Sequence, residues 1–419
     1  MKKQIIIVGG GFAGLKLARE LSDSDYKVMV IDRNNFHQFQ PLFYQVATSR
    51  LAASNISFPL RKVFNGSRNV TLRITNVLKV VPETNTIITE IGDFQYDYLV
   101  FATGADTNYF GNENIRKHAY PMKSTVEAMY IRMRILQNFE DMYKTKDEDT
   151  KESLSNYVIV GGGPTGVELA GALMEMKKYV LPKDYQDLDI SRMKIYLVEA
   201  GPRLLGAMSE FSSKKAEKYL TEMGVNVMLK TQVKDYDGKW VELADGTKIR
   251  SRLLIWAAGV AGNYPEGIDK AIKVRGNRIK VDEYHQIEGY ENIYAIGDIS
   301  YMETKKFPHG HPQLANVAIH QAGNLAHNFE KLLHDKKLKP FQYKDKGSMA
   351  TVGRSKAVVD LPKIKFGGFI AWLTWMLLHL LFIMGMRNRI HVFVNWTAAY
   401  FNKNSSLRLI FKPYIRDDK

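Results

Sequence analysis

The sequence predicts an α/β protein made of two parallel-sheet units, one inserted into the other, with a C-terminal segment of different composition. Two observations predict this architecture. A glycine-rich turn between a short β-branched run and a helical stretch occurs twice, the second copy 152 residues after the first. The last quarter of the chain differs from the rest in charge and in hydropathy. With 419 residues, the chain is long enough for roughly two to four domains.

The first glycine-rich turn lies at the amino terminus. The run from Gln4 to Val8 leads into residues 9–14 (GGGFAG), a helical stretch follows, and the next apolar run ends at Asp32. In this order the first glycine allows a tight turn, and the second allows a pyrophosphate to approach the backbone closely. The third glycine allows the helix to pack against the strand. The helix N-terminus attracts phosphate, and Asp32 can accept hydrogen bonds from ribose hydroxyls. The pattern predicts a Rossmann-like dinucleotide-binding domain.

The second copy repeats this pattern within the inserted unit. The run from Tyr157 to Val160 leads into residues 161–166 (GGGPTG), and a later apolar run, Lys194 to Val198, ends at Glu199. One such motif is weak, but two in the same strand–turn–helix context, each followed by an acid, predict two dinucleotide sites.

Three further strands end in small residues or in an acid, at 102–104 (ATG), 257–259 (AAG) and 297–298 (GD). Asp298 is either a cofactor-binding residue or a helix N-cap. The candidate cofactor-binding residues are Gly9, Gly11, Ala13, Gly14, Asp32, Arg33, Thr103, Gly104, Asp298, Ala315 and Asn316 in the first unit, and Gly161, Gly163, Gly166, Glu199 and Gly259 in the second.

The excess positive charge is confined to the C-terminal quarter. Residues 1–304 carry 40 basic and 38 acidic side chains, whereas residues 305–419 carry 19 basic and 6 acidic ones. The same region holds the longest apolar run, 21 uncharged residues from Phe366 to Met386, with basic residues on both sides. As a helix rising ~1.5 Å per residue, this run would reach ~31 Å, about the thickness of a bilayer core.

Anionic headgroups attract lysine and arginine, while an apolar helix can enter the acyl chains. We therefore predict attachment to an anionic membrane surface, and leave open whether the run spans the membrane, lies in the interface, or is a buried core or dimer helix. The basic residues bracket an apolar run instead of alternating with base-stacking aromatics, so nucleic-acid binding is not predicted. The apolar N-terminal stretch runs directly into the glycines without a cleavage site, so we predict no export signal and a peripheral location on the cytoplasmic side of the cell membrane.

The chain has no cysteine. This excludes disulfides, cysteine-ligated iron–sulfur or zinc sites, and thiol nucleophiles. His309 and His311 flank a glycine without further metal ligands nearby, so no metal site is predicted. Any redox chemistry must therefore use an organic cofactor.

The chain resembles the two-dinucleotide flavoprotein reductases, and more narrowly the membrane-associated type II NADH dehydrogenases. The resemblance covers nearly the whole chain and is most specific in the apolar C-terminal segment and in the stretch from Pro41 to Ala47. The other matching segments are 9–14, 102–104, 161–166 with Glu168, 197–203, 256–259 and 295–298.

This resemblance implies an enzyme that oxidises NADH with FAD and reduces a quinone without pumping protons. It implies FAD in the first unit and NADH in the second, with Glu199 disfavouring the 2′-phosphate of NADPH. Glu168 matches a family glutamate near the nicotinamide and flavin rings, where a buried carboxylate tunes charge or relays a proton; alternatively it is a surface glutamate in the first helical turn.

The quinone motif of the family, A-Q-x-A-x-Q, falls on residues 315–320, and this sequence departs from it. Asn316 keeps an amide on a shorter side chain, and His320 replaces an amide with a titratable ring. Both can hydrogen-bond a quinone carbonyl; the alternative is a helix that only packs on the flavin. The candidate quinone-binding residues are Gln45, Asn316, His320 and Gln321.

From these features we predict an FAD-binding domain at 1–120 and 264–350, an NADH-binding domain at 121–263, and a membrane-associated region at 351–419. Residues 125–143 are predicted as a packing or dimer helix, which leaves a homodimer open. The alternative function is a soluble NADH-dependent reductase of a ferredoxin- or rubredoxin-type carrier, which would not need the apolar run. Sulfide:quinone reductases share the fold but use cysteines, which this chain lacks.

Overall fold

The computed structural model describes residues 2–268, 273–402 and 407–411. The chain forms two compact units. The first comprises residues 1–38, 58–108 and 260–344, and the second comprises 39–57, 109–259 and 345–419. Each unit contains a five-stranded parallel sheet with a glycine turn after a central strand. The prediction of two Rossmann-like folds, one inserted into the other, is confirmed.

The sheet of the first unit is built on the apolar run after the amino terminus. Ile5, Ile6 and Ile7 are fully buried, because strands in parallel sheets are covered on both faces and are apolar at every position. The strands of this sheet, in spatial order, are Ile293–Ala295, Tyr98–Phe101, Gln4–Val8, Lys27–Asp32 and Val70–Ile74.

The helices of the first unit include the first glycine helix, Phe12–Glu20, and a long helix, Ala315–Leu332, which pack on each other. Among the residues of this unit that the structure describes, the remaining helical segments are Leu60–Val63, Pro82–Thr84 and Gly297–Ile299. The other strands are Phe36–Gln38, Val77–Val81, Thr86–Thr89, Gly92–Gln95, Ala105–Thr107, Val260–Gly262, Lys273–Val274, Arg278–Lys280 and Ser300–Tyr301, while Ser57–Pro59 crosses the boundary between the units.

The second unit repeats the arrangement around the strand before residue 161. Its parallel sheet consists, in spatial order, of Tyr120–Pro121, Leu253–Trp256, Asn156–Val160, Lys194–Val198 and Asn226–Met228. The second glycine helix, Pro164–Glu175, follows the central strand. The predicted helix Thr125–Tyr143 is present and begins with a capping box in which Ser124 and Glu127 satisfy each other's backbone N–H groups.

The second unit also contains shorter elements and two small antiparallel sheets. Its other helical segments are Gln40–Leu42, Phe43–Ala47, Ala53–Asn55, Glu113–His118, Glu148–Ser155, Met176–Val180, Leu181–Asp184, Ile190–Arg192 and Glu210–Met223. Its small sheets are formed by Val233–Tyr236, Trp240–Leu243 and Lys248–Arg250, and by Ser348–Thr351, Ala357–Asp360 and Lys365–Gly368.

The apolar C-terminal run does not form the single 21-residue helix that its length suggested. Its first residues belong to the strand Lys365–Gly368, which pairs with Ala357–Asp360. The helix Phe369–Phe382 has 14 residues and is followed by a turn at Gly385, whose φ is +82°, and then by Met386–Asn402. We call these two helices the C-terminal hairpin. Among the described residues, no helix is long and apolar enough to cross a membrane.

The borders of the compact units differ from the predicted domain borders. Residues 39–57 belong to the second unit, where Phe43–Ala47 packs on helix Thr125–Tyr143 and on the second glycine helix. The predicted C-terminal region, starting at residue 351, also belongs to the second unit; its residues 403–406 and 412–419 lie outside the described part of the chain, as do 269–272 of the predicted FAD-binding domain.

Candidate functional site

The first glycine turn is tight on one side and open on the other. A Cβ atom on Gly9, whose φ is +108°, would lie 2.3 Å from the carbonyl oxygen of Ala102, and one on Gly14 would lie 1.8 Å from the carbonyl oxygen of Gly9. Around the Cβ position of Gly11, no described atom lies within 4 Å. No side-chain hydrogen bond caps the following helix at its N-cap, Gly11. The turn therefore fits a pyrophosphate.

Asp32 is held beside this turn by two backbone bonds. Its Oδ2 accepts from Gly10 N at 2.6 Å and its Oδ1 accepts from Asn34 N at 2.6 Å. Burial raises the pKa of Asp32, and the two backbone bonds oppose this rise. Each oxygen keeps acceptor capacity for a ribose hydroxyl. Arg33 has an exposed side chain, 4.0 Å from the carboxylate of Asp106.

Thr103 and Gly104 follow the neighbouring strand, Tyr98–Phe101. The Thr103 hydroxyl is buried and has no hydrogen-bond partner among the described residues. Gly104 has a φ of +72° and no described atom within 4 Å of its Cβ position. An orphaned hydroxyl next to open backbone is what a bound cofactor would satisfy.

The structure brings three predicted segments of the first unit together at Gly297. A Cβ on Gly297 would lie 3.2 Å from that of Ala13 and 3.6 Å from that of Ala318. Asp298 lies inside the 3-10 turn Gly297–Ile299, whose N-cap is Ile296, so Asp298 is not a helix N-cap. Its carbonyl accepts from Gln313 Nε2 at 2.9 Å.

Helix Ala315–Leu332 carries the candidate quinone residues of the first unit near its N-terminus. Asn316 and His320 are half-buried, and the His320 ring lies 5.9 Å from that of Tyr343. Gln321 is 1 % exposed, and its carbonyl oxygen accepts from Gly297 N at 2.7 Å and from the Ser300 hydroxyl at 3.3 Å. Its amide therefore fixes the turn that contains Asp298.

The second glycine turn has the same geometry as the first. A Cβ on Gly161 (φ +110°) would lie 2.7 Å from the carbonyl oxygen of Ala257, and one on Gly166 would lie 1.9 Å from that of Gly161. Around Gly163 no described atom lies within 4 Å of the Cβ position. Gly259, after the neighbouring strand, has a φ of +77°. This turn also fits a pyrophosphate.

Glu199 takes the place in the second unit that Asp32 takes in the first. Its Oε2 accepts from Gly162 N at 2.5 Å and its Oε1 accepts from Gly201 N at 2.6 Å. The carboxylate is therefore fixed beside the turn, where it can accept from ribose hydroxyls and repel a 2′-phosphate.

Glu168 is buried in the second glycine helix, 7 % exposed, so the alternative of a surface glutamate is wrong. Burial raises its pKa to about 8, and a hydrogen bond from Thr351 opposes this rise. The Thr351 N–H donates to Glu168 Oε1 at 3.2 Å. A carboxyl with this pKa is largely protonated at neutral pH and can act as an acid.

An aromatic pocket that is partly open to solvent lies in the same unit. The indoles of Trp375 and Trp396 lie 5.5 Å apart, and Trp375 stacks on His379 at 4.0 Å. The pocket is lined by Tyr44, Gln45, Thr48, Arg50, Glu175, Met176, Tyr179, Val180, Gly353, Arg354, Trp372, Trp375, Met376, Trp396, Ala399 and Tyr400.

Charged residues brace one wall of this aromatic pocket. Arg50 forms an ion pair with Glu175, whose Oε1 also accepts from the backbone N–H of Arg354. The Arg354 guanidinium donates to the carbonyls of Ala399 and Tyr400 in the C-terminal hairpin. Burial lowers the pKa of Arg50 to about 10, which leaves it charged at neutral pH.

Sequence reasoning missed most of the residues around Glu168. Gln45 was predicted, and Tyr44 lies in the same motif, which was the available signal. Thr351, Trp375 and Trp396 lie far away in sequence and no local pattern marks them. Among the described residues, no group of His, Asp and Glu side chains could hold a metal ion.

Comparisons with known proteins identify the family of this chain. The family model described as pyridine nucleotide-disulphide oxidoreductase matches residues 3–322, and the NDH2 C-terminal domain matches residues 346–405. The type II NADH:quinone oxidoreductase Ndh of Mycobacterium tuberculosis is 34% identical over 416 residues, covering 96% of this chain and 89% of that protein. NdhA of the same organism is 32% identical over 419 residues, covering 96% and 88%.

The fold is similar to that of a solved structure of NDH2 from Plasmodium falciparum in complex with NADH. The TM-score is 0.89 at 22% identity, over 98% of this chain and 100% of that one. The matched domains and the extent of identity lead to one conclusion. The chain belongs to the type II NADH dehydrogenases, within the pyridine nucleotide-disulphide oxidoreductase family.

Proposed function

We propose that the protein is an FAD-dependent enzyme that oxidises NADH and reduces a membrane quinone. The observation that carries this proposal is the presence in one chain of two open glycine turns, each with its own fixed carboxylate, Asp32 or Glu199. The relatives named as NADH:quinone oxidoreductases support the same reaction. A soluble carrier reductase would share the two turns but has no use for the exposed apolar C-terminal hairpin.

In this proposal the first unit holds FAD. Gly11 leaves room for the pyrophosphate, Asp32 accepts from the ribose, and the orphaned Thr103 hydroxyl and the Gly297–Ile299 turn contact the rest of the cofactor. When bound, FAD supplies two-electron redox chemistry between the nicotinamide and the quinone.

The second unit holds the nicotinamide coenzyme. Gly163 leaves the space for its pyrophosphate, and the fixed carboxylate of Glu199 accepts from the ribose hydroxyls. Because that carboxylate lies between two backbone N–H groups, it cannot swing away from a 2′-phosphate without breaking both bonds. We therefore expect NADH to be preferred over NADPH.

We place the quinone ring in the aromatic pocket, where flat indole and phenol side chains suit a planar ring. Gln45 lies in the wall of this pocket. Glu168, which lies in the same unit but does not line this pocket, is our candidate for the source of the proton taken up when the quinone is reduced, since its pKa of about 8 keeps a proton available at neutral pH. Asn316 and His320 of the first unit stay predicted quinone contacts, whereas Gln321 is better explained as the residue that fixes the Gly297 turn.

The direct test is NADH oxidation by the detergent-purified protein with a water-soluble quinone as acceptor. We expect rapid quinone-dependent loss of NADH absorbance and a kcat/KM for NADPH at least ~10-fold lower. Flavin-loaded protein that shows no quinone-dependent rate would contradict the proposal.

The C-terminal hairpin is our candidate for membrane attachment. Its buried face is narrow, consisting of Ala371, Trp375, Val392 and Trp396, whereas many of its other side chains are apolar and exposed. The exposed apolar residues of the hairpin and its flanks are Ile364, Phe369, Ile370, Leu377, Leu378, Leu381, Phe382, Met386, Ile390, Phe393, Val394, Tyr400, Phe401, Leu409 and Phe411. Exposed apolar side chains in this number are typical of a segment that contacts lipid.

Exchange of two exposed residues for aspartate, Leu381→Asp with Phe393→Asp, is expected to release the protein from anionic vesicles. Burial of each side chain in acyl chains is worth about 1.5–3 kcal/mol, so we expect affinity to fall at least ~100-fold in co-sedimentation. Activity with a soluble quinone should persist. Ile91→Asp, at an exposed apolar residue of the first unit, is the matched control; equal sedimentation of both variants would refute attachment through the hairpin.

The side of the membrane and the oligomeric state stay predictions. We infer peripheral attachment at the cytoplasmic face, where anionic lipids would meet Lys363, Lys365, Arg387 and Arg389. A homodimer through helix Thr125–Tyr143 would cover its exposed Val126 and Tyr130.

A further inference from the structure

Arg278 is a buried arginine of the first unit that bonds two separate stretches of backbone. It is 8 % exposed and begins the strand Arg278–Lys280, which runs parallel to Ser300–Tyr301. Its Nε donates to the carbonyl oxygen of Ser300 at 2.9 Å, and its Nη2 donates to the same oxygen at 2.5 Å and to the carbonyl oxygen of His311 at 2.9 Å. Because Ser300 and His311 are buried as well, these carbonyls rely on the guanidinium for hydrogen bonds that water would otherwise supply.

The two carbonyls lie at the ends of one loop, residues 300–311. The loop leaves directly from the turn Gly297–Ile299, which contains Asp298. The chain then returns to that turn, because the Nε2 of Gln313 donates to the Asp298 carbonyl oxygen at 2.9 Å. Gln321 bonds the start of the same turn, so a buried arginine and a buried glutamine together fix the turn and the loop that follows it.

The loop packs closely on the guanidinium. The Cζ of Arg278 lies over the ring of Tyr301, 5.1 Å from its centre. Gly310 has a φ of +78°, and a Cβ there would lie 2.7 Å from two carbons of the Tyr301 ring and 3.3 Å from Nη1 of Arg278. Glycine is therefore the residue that fits at 310, where the backbone lies against both side chains.

Arg278 also brings a positive charge to the turn. Burial lowers the pKa of Arg278 and the charge of Asp298 opposes this, but a guanidinium stays charged throughout the physiological pH range. The negative charge of Asp298 is thus partly balanced by a buried cation. Without the arginine, the net charge beside the turn would be one unit more negative.

We propose that Arg278 is a positioning residue for FAD, which holds the turn Gly297–Ile299 in the shape that binds the cofactor and whose charge favours the reduced form of the flavin. The inference rests on the proposed placement of FAD in the first unit. A hydride received from NADH adds one negative charge to the flavin, and a buried cation near the binding turn lowers the cost of that charge.

Arg278→Met and Arg278→Lys separate the effect of the hydrogen bonds from that of the charge. Methionine has neither the donors nor the charge, whereas lysine keeps the charge but lacks the rigid fork that bonds both carbonyls. We expect the detergent-purified Arg278→Met holoenzyme to release FAD roughly 10-fold faster than the wild type, measured by recovery of flavin fluorescence on dilution. Its flavin midpoint potential should fall by about 30 mV, which corresponds to a tenfold change in the ratio of the dissociation constants of oxidised and reduced FAD. Arg278→Lys should release FAD faster but keep the wild-type potential.

Gly310→Ala tests the loop without removing the charge. Its methyl group would meet the Tyr301 ring, so we expect faster FAD release at an unchanged potential. Gly289→Ala is the matched control, because Gly289 also has a positive φ, +89°, but no described atom lies within 4 Å of its Cβ position. Arg132→Met removes a buried arginine of the second unit. Both controls are expected to melt at a lower temperature than the wild type, yet to release FAD and titrate as the wild type does.

Wild-type rates of FAD release in both Arg278→Met and Gly310→Ala would overturn the positioning role, and so would equally fast release from the two controls. An unchanged potential in Arg278→Met would overturn the role of its charge. None of these measurements uses a quinone, so a protein that holds FAD but does not reduce quinone would contradict the proposed reaction alone. Loss of flavin in Gly11→Val together with normal flavin retention in Arg278→Met would leave FAD in the first unit and refute the role of Arg278.

Discussion

We expect quinone to re-oxidise the reduced flavin of the Glu168→Gln variant roughly 100- to 10,000-fold more slowly than that of the wild type. Reduction of the flavin by NADH should change little. The change keeps the shape of a buried side chain at 7 % exposure but removes its transferable proton. A positioned general acid contributes about this factor. Stopped-flow measurement of the two half-reactions separates the predicted defect from loss of coenzyme binding. Glu210→Gln, at an exposed helix N-terminus, is the control.

The same substitution is expected to stabilise the fold at neutral and alkaline pH. Burial raises the pKa of Glu168 from its ordinary 4.5 to about 8, so the folded protein binds this proton more tightly than the unfolded chain. The stabilisation that comes from holding this proton is complete below about pH 4.5, and it is lost as the pH rises through about 8. Because glutamine carries no charge at any pH, Glu168→Gln should be more stable than wild type by about 2–4 kcal/mol at pH 8.

Denaturant unfolding at about pH 4 and pH 8 checks this sign. The difference between variant and wild type should be small at the lower pH and large at the higher one. A variant that reacts with quinone at the wild-type rate would remove Glu168 from the chemistry, and a pH-independent stability difference would mean that its proton is not held by burial.

Replacement of Gly11 by valine is expected to abolish flavin binding without unfolding the protein, and Gly163→Val is expected to spare flavin but weaken NADH binding. Both glycines have extended backbone, with φ near −72° and −71°, and no described atom lies within 4 Å of either Cβ position. The protein can therefore accept the side chain, which would fill the space that we assign to a pyrophosphate.

For Gly11→Val we expect purified protein without yellow colour and without activity, with apoprotein stability changed by no more than about 1 kcal/mol. For Gly163→Val we expect a normal flavin spectrum and a KM for NADH raised roughly 100-fold. Gly14 and Gly166, the last glycines of the two turns, should behave differently. A Cβ on Gly14 would lie 1.8 Å from a backbone oxygen, and one on Gly166 would lie 1.9 Å from another. Valine there should prevent folding of the unit concerned. Flavin loss in Gly163→Val but not in Gly11→Val would reverse our assignment of the two units.

The C-terminal run shows where local reasoning about the sequence was incomplete. Its composition indicated an apolar membrane-seeking segment, and the exposed apolar side chains of the hairpin agree with that. Its length suggested one continuous helix, but Lys365–Gly368 pairs with Ala357–Asp360 and a turn at Gly385 follows Phe382. A strand partner and a turn are properties of the surrounding structure, which hydropathy does not report.

The two glycine turns with their acids, Asp32 and Glu199, could be determined from the sequence alone. In each turn the last glycine, Gly14 or Gly166, approaches the carbonyl oxygen of the first one, Gly9 or Gly161, so closely that no side chain fits, and the spacing of these glycines therefore reflects the geometry. The surroundings of Glu168 were decided by the tertiary structure. The backbone N–H of Thr351 bonds Glu168 from 183 residues further along the chain, and the Tyr44 hydroxyl bonds that of Thr351 across 307 residues. No local spacing encodes hydrogen bonds that form only when those segments pack together.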